Sequence, residues 1–302
     1  MTSKHFFSVL LLLVVGLIPA VRVGEDPDPI EALEARIHDV FSQAEGSFSL
    51  AFMHLDEPDL RLFLNADTLV HAASTYKTAV MIEVFRQAEE GCFELDDPML
   101  VKNEFRSIVD GSMFMVDGST DGGSDLHAHL GDSITVRELT RNMIVRSGNL
   151  ATNLLVERVG AEAVTATMRK LGADRIQIRR GVYDMKAYER GLNNKTTARD
   201  LTLVLEALAR GRALNESYTR EAVDILLAQE FTRLIPAQLP DEAEVAHKTG
   251  SISGIQHDSG IVYLPDGQRY VLVVLATDLE DEDAGAETIA AVSRLIYKFV
   301  EI

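Results

Sequence analysis

The chain has 302 residues and a formal net charge of −18, with 46% hydrophobic residues, 25% charged residues, one Cys and no Trp. That length supports one large domain or two intimate ones, and the apolar fraction is too high for a disordered chain. The acidic balance excludes proteins that follow a phosphate backbone or an anionic membrane surface through clustered Lys and Arg, so no nucleic-acid partner is expected. A single Cys excludes an intramolecular disulfide and a CxxC metal or redox site.

Residues 1–20 read as an export signal. Lys4 precedes an apolar run from Phe6 to Ile18, and Pro19-Ala20 closes it with a small-residue exit. The run is shorter than a membrane-spanning helix needs, so a secreted or periplasmic protein, soluble after export, is expected. An acidic, Pro-containing linker occupies 21–29, and the catalytic domain is expected over 30–302.

Ile30, Leu33, Ile37, Val40, Phe41 and Ala44 recur at helical spacing, and Ser47–Leu55 and Leu60–Leu64 then read as strands. Thr75–Gln87 reads as a helix, with Cys92 just past it as a small core residue. The Gly-, Ser- and Asp-rich run from Ser112 to Gly131 reads as a long surface loop. Thr135-x-x-Glu138 is a capping-box signal for a helix through Val145. Leu150–Val159 and Ala161–Leu171 follow, stopped by Gly160 and Gly172. Thr197-x-x-Asp200 opens a helix to Ala209. Glu244–His247, Ile255–Leu264 and Arg269–Thr277 read as strands, the last two joined by Pro265-Asp266-Gly267, and Ala286–Val300 as a closing helix. Strands at both ends and helices between them imply an α+β fold: an antiparallel sheet of about five strands built from both termini, flanked by terminal helices. The α/β lobe would span about 30–71 and 211–302, with an all-helical lobe of about 72–210 inserted. A cleft is expected where the lobes meet, in a monomer.

Three motifs carry chemistry. In Ser74-Thr75-Tyr76-Lys77, a Ser and a Lys three residues apart share one helical face, where a neutral amine could take the hydroxyl proton. Ser147-Gly148-Asn149 sits at a turn between helices; it can present a hydroxyl and a carboxamide, and its residue types equally suit a helix cap. Lys248-Thr249-Gly250 follows a strand, with Gly250 permitting close backbone approach and Lys248 and Thr249 suited to an anionic group. His127-Ala128-His129, with Asp125 nearby, reads as surface histidines, since a catalytic zinc needs three converging ligands. No metal and no cofactor are expected.

Taken in order, these motifs resemble the serine penicillin-recognising superfamily: class A β-lactamases and the related penicillin-binding peptidases. The resemblance implies that Ser74 is the acyl nucleophile, Lys77 its proton-relay partner and Ser147 the proton shuttle to the leaving nitrogen. It implies that Asn149 holds the substrate amide, that Lys248 and Thr249 engage its carboxylate, and that the N–H groups of Ser74 and Ser251 form the oxyanion hole. Glu189-Arg190-Gly191-Leu192-Asn193 is similar to the family's Glu-x-x-Leu-Asn loop, which implies Glu189 as deacylation base and Asn193 as its water-positioning partner, with Asp184 a competing carboxylate. The segment after Asn193 is shorter than the family's loop. Gly148 stands where most class A enzymes carry Asp, and His257 stands about where many carry an Arg. The substrate implied is a small molecule, a β-lactam or a peptidoglycan-like amide. The same residues also fit a D,D-peptidase or esterase, or a penicillin-binding sensor that acylates once and stops.

Overall fold

The structure, a computed structural model, describes residues 28–57 and 59–301. The expected export signal (1–20) and most of the expected linker (21–29) lie outside them. Helix α1 (Pro29–Phe41) starts where Asp28 accepts the Ile30 N–H and Pro29 occupies the first turn, and it buries Leu33 and Ile37. Strands β1 (Ser47–His54) and β2 (Arg61–Leu64) follow. Helices α2 (Lys77–Glu89), α3 (Val136–Val145), α4 (Asn149–Val159), α5 (Ala161–Lys170) and α6 (Met185–Glu189) come next. Then come α7 (Ala198–Ala209) and α8 (Glu216–Leu227), strands β3 (Glu244–Ile252), β4 (Ile255–Tyr263) and β5 (Arg269–Thr277), and helix α9 (Glu282–Val300). Two-residue and three-residue strand pairs decorate the helical region.

The sheet order is β2-β1-β5-β4-β3, antiparallel throughout, so the last strand in sequence is central and the two ends of the chain share one sheet. Both faces of β5 are apolar. Val271, Val273 and Leu275 face one core with Val80, Met81 and Ile82 of α2, while Leu272, Val274 and Ala276 face a second core with Leu33, Ile37, Ile289 and Ile296. The period-2 alternation of a strand thus feeds two layers of helix.

Local signals explain most boundaries. The Thr135–Glu138 capping box forms in both directions, and Thr197 accepts the Asp200 N–H at the start of α7. Gly160 and Gly172 end α4 and α5 with φ of +82° and +87°. Two of the acids before the expected closing helix, Glu282 and Asp283, form its first turn and Asp281 caps it, so α9 starts four residues before Ala286. Helix α7, which the sequence places in the inserted lobe, packs on β1 and β5. Cys92 is exposed, carried out of the core by the turn at Gly91, whose φ is +75°. Among the described residues no helix is long and apolar enough to cross a membrane.

Candidate active site

A cleft of about 520 Å³ opens between the end of β3 and the helical region, and Ser74, Ser147, Asn149, Thr249 and Ser251 all line it. The three motifs therefore converge. Ser74 sits in the tight turn before α2, preceded by Ala73 at φ +44°, a conformation unusual for a residue with a Cβ. Its N–H has no acceptor among the described residues. Strand β3 runs on through Lys248-Thr249-Gly250 to Ile252, further than the sequence implies, and brings Gly250 against Ser74. A Cβ on Gly250 would lie 2.9 Å from the Ser74 nitrogen and 3.0 Å from the Ala73 Cβ. Only glycine lets this strand lie beside that turn.

Lys77 and Lys248 are both fully buried and converge on one hydroxyl. Lys77 Nζ lies 2.7 Å from the Ser147 carbonyl oxygen, 2.9 Å from Asn149 Oδ1 and 3.2 Å from Ser147 Oγ. Lys248 Nζ lies 3.1 Å from the same Ser147 Oγ and 2.8 Å from the Thr249 carbonyl. Burial holds the Lys77 amine well below its ordinary range, and the neighbouring Lys248 charge adds to this while Asp121 opposes it. Burial also brings Lys248 down to about 7. A neutral Lys77 has two N–H donors, enough for the Ser147 carbonyl and the Asn149 carboxamide, and a lone pair left for a proton. Ser147 itself is held at φ +54°, which turns its carbonyl and hydroxyl toward both amines. Lys248 does not line the cleft; at its wall the motif is represented by Thr249, with Ser251 next along the strand.

The fourth motif stands elsewhere. Asp184 caps α6 by accepting the Ala187 N–H, which turns the buried Ala187 inward and leaves Glu189, two residues on, exposed to solvent and outside the cleft. Asp184 is buried, but Ser107 Oγ (2.8 Å) and the Ile108 and Ala187 N–H groups occupy its carboxylate. Asn193 does not line the cleft either, because its Oδ1 accepts from Arg180 Nη2 at 2.6 Å. Among the described residues, no Asp or Glu lines the cleft.

What lines that side went unread in the sequence. Asn194 closes the segment on itself: its Oδ1 accepts the Arg179 and Arg180 N–H groups and its Nδ2 donates to the Arg180 carbonyl. Arg180, 8% exposed, faces the cleft with His71, Val182 and Tyr188. His71 is held below its ordinary range by burial and by the charges of Arg180 and Lys195, and its ring meets Tyr188 edge-on at 6.4 Å. His257, expected near the substrate carboxylate, is fully buried. Its Nε2 donates to the His71 carbonyl at 3.0 Å and its Nδ1 takes the Ala276 N–H, while burial lowers it to about 4. It is a neutral strut between β4 and His71, just ahead of the turn that carries Ser74.

The model of the Beta-lactamase enzyme family matches residues 32–300. The chain belongs to that family. Among relatives of this Beta-lactamase enzyme family member, a β-lactamase from Bacillus licheniformis is 31% identical over 176 residues, covering 56% of this chain and 57% of that one. One from Bacteroides uniformis is 24% identical over 312 residues, covering 97% and 98%. Among solved structures, PBP-A is 26% identical with a TM-score of 0.76, covering 89% of this chain and 96% of that chain. A mutant of PBP-A has been solved as an acyl-enzyme complex with penicillin-G. Membership of that family supports a β-lactamase-type hydrolase.

Proposed function

We propose that the protein opens the β-lactam ring through an acyl-enzyme on Ser74. The observation that carries this reading is the convergence of two buried amines on Ser147 beside a nucleophile whose N–H is free. Ser74 Oγ attacks the lactam carbonyl, the C–N bond breaks, and the hydroxyl proton passes through neutral Lys77 and Ser147 to the departing nitrogen. The Ser74 and Ser251 N–H groups take the developing oxyanion, and Thr249, backed by Lys248, takes the substrate carboxylate. Incubation with a penicillin followed by intact-mass measurement tests it. A covalent adduct is expected on the unaltered protein and none on Ser74→Ala; hydrolysis persisting in Ser74→Ala would overturn it.

The carboxylate-free cleft favours a second reading of the same site, in which acylation outruns deacylation and a peptide amide or ester is the better substrate. A burst of one equivalent followed by slow turnover of penicillin, with faster turnover of D-Ala-D-Ala peptides, supports that reading. Fast steady-state penicillin hydrolysis refutes it. Export is proposed on residues 1–20; a mature mass beginning after Ala20 supports it, and one that retains Met1 refutes it.

A further inference from the structure

Helix α4 carries Asn149 at its first position, yet its N-cap is Gly148, which has no side chain to offer. The space for one is taken by the end of a neighbouring side chain. A Cβ on Gly148 would lie 1.9 Å from Asn142 Oδ1, and one on Gly123 would lie 2.3 Å from the same oxygen. The carboxamide of Asn142, from α3, thus fills the space that a residue-148 side chain would take. The open N–H groups of α4 are met instead from the run Ser112 to Gly131. Asp121, buried within it, accepts the Asn149 N–H at 2.7 Å, the Leu150 N–H at 3.0 Å and the Gly123 N–H at 3.1 Å. His127 Nε2 closes the shell at 3.0 Å from Asp121 Oδ2, so this histidine has a buried partner rather than a free surface. Burial alone would raise the Asp121 carboxyl, but the Asn149 and Leu150 donors, with His127, hold it below its ordinary value and keep it ionised.

We propose that Asp121, oriented by His127, is a positioning residue for acylation: it caps α4 from a separate loop and thereby holds Ser147 and Asn149 onto Lys77. It does so where residue 148 offers no side chain and the Asn142 carboxamide occupies the place of one. The inference rests on the Ser74 reading above. Residues 147 and 149 supply all three contacts of Lys77 Nζ, so a displaced α4 start would misalign the amine. The charged groups facing Lys77 are Lys248 on β3 and Asp121 itself. Loss of the Asp121 charge leaves the Lys77 ammonium less favoured, so the amine becomes neutral at lower pH.

The test measures the single-turnover rate of acylation by a fluorescent penicillin, as a function of pH, on variants whose folding is checked by circular dichroism. Asp121→Ala is expected to acylate at least ten-fold more slowly. Asp121→Asn is expected to be intermediate, with the acidic limb of its profile displaced to lower pH, which simple loosening of the fold would not produce. His127→Gln, which keeps an N–H donor, is expected near the unaltered rate and His127→Ala several-fold below it. The triple variant Asp121→Ala/Asn142→Ala/Gly148→Asp clears the space and restores a local carboxylate, so it is expected to regain most of the rate even if Asp121→Ala alone folds poorly. A folded Asp121→Asn with an unchanged rate and limb overturns the proposal, as does a folded triple variant no faster than Asp121→Ala. Absence of any adduct on the unaltered protein overturns the Ser74 reading, and this proposal with it.

Discussion

On the proposed function, Lys248 couples protonation to binding. Its amine is fully buried and brought to about 7, so its charge changes within the working pH range. Below about 7 the ammonium supports Thr249 in holding a carboxylate; above it, the charge is lost. For a substrate bearing a carboxylate, KM is expected to rise as pH increases through about 7, while a neutral ester shows no such rise. Lys248→Arg keeps the charge at every pH and is expected to flatten the KM profile even if it lowers kcat. Steady-state or acylation kinetics on the two substrates between pH 5.5 and 9 measure this. A KM for the anionic substrate that ignores pH in the unaltered protein would remove the assignment.

At the scale of elements, the segment from Arg180 to Asn194 bears on the deacylation half of the proposed reaction. It is tied at its neck by Asn194 and along its length by Arg180, which donates to the Leu192 carbonyl at 3.0 Å. Helix α6 inside it aims Glu189 at solvent. Glu189→Ala is therefore expected to leave acylation and deacylation rates within about two-fold, with a stability change inside roughly 0.5 kcal/mol, as for other exposed sites. A long-lived acyl-enzyme in this variant, absent from the unaltered protein, would restore the role implied by its spelling. The contrast shows what a sequence can carry. Caps, stops and strand alternation are short-range and were legible: Thr135 with Glu138, Gly160, and the alternation along 269–277 all depend on neighbours in the chain. That the Ser74, Ser147 and Lys248 motifs meet at one cleft was legible only from their joint order, since none of the three is distinctive alone. Glu189 misled because one upstream cap, Asp184, sets the helical phase of its side chain. Asp121 was invisible because the helix N–H groups it caps are 28 and 29 residues away and its own surroundings read only as loop.

At the scale of the whole molecule, the chain carries a net charge of −18, while the cleft lining holds no acid among the described residues. Arg180 at the cleft wall and the two motif amines cannot fully offset that field, because burial holds Lys77 well below its ordinary range and leaves Lys248 half-charged near neutrality. An anionic substrate must therefore approach against a repulsive outer field before it meets Thr249 and Lys248. Salt weakens long-range repulsion more than short, buried contacts; the screening length falls from about 30 Å at 0.01 M to about 3 Å at 1 M. The second-order acylation constant, kcat/KM, is expected to rise by a few-fold for an anionic penicillin as salt increases from 0.01 to about 0.2 M, and to stay level for a neutral ester. Measuring both substrates in parallel separates field from fold, since a conformational response to salt would move them together. A fall for the anionic substrate alone would mean that the cations at the site, not the acidic shell, govern encounter.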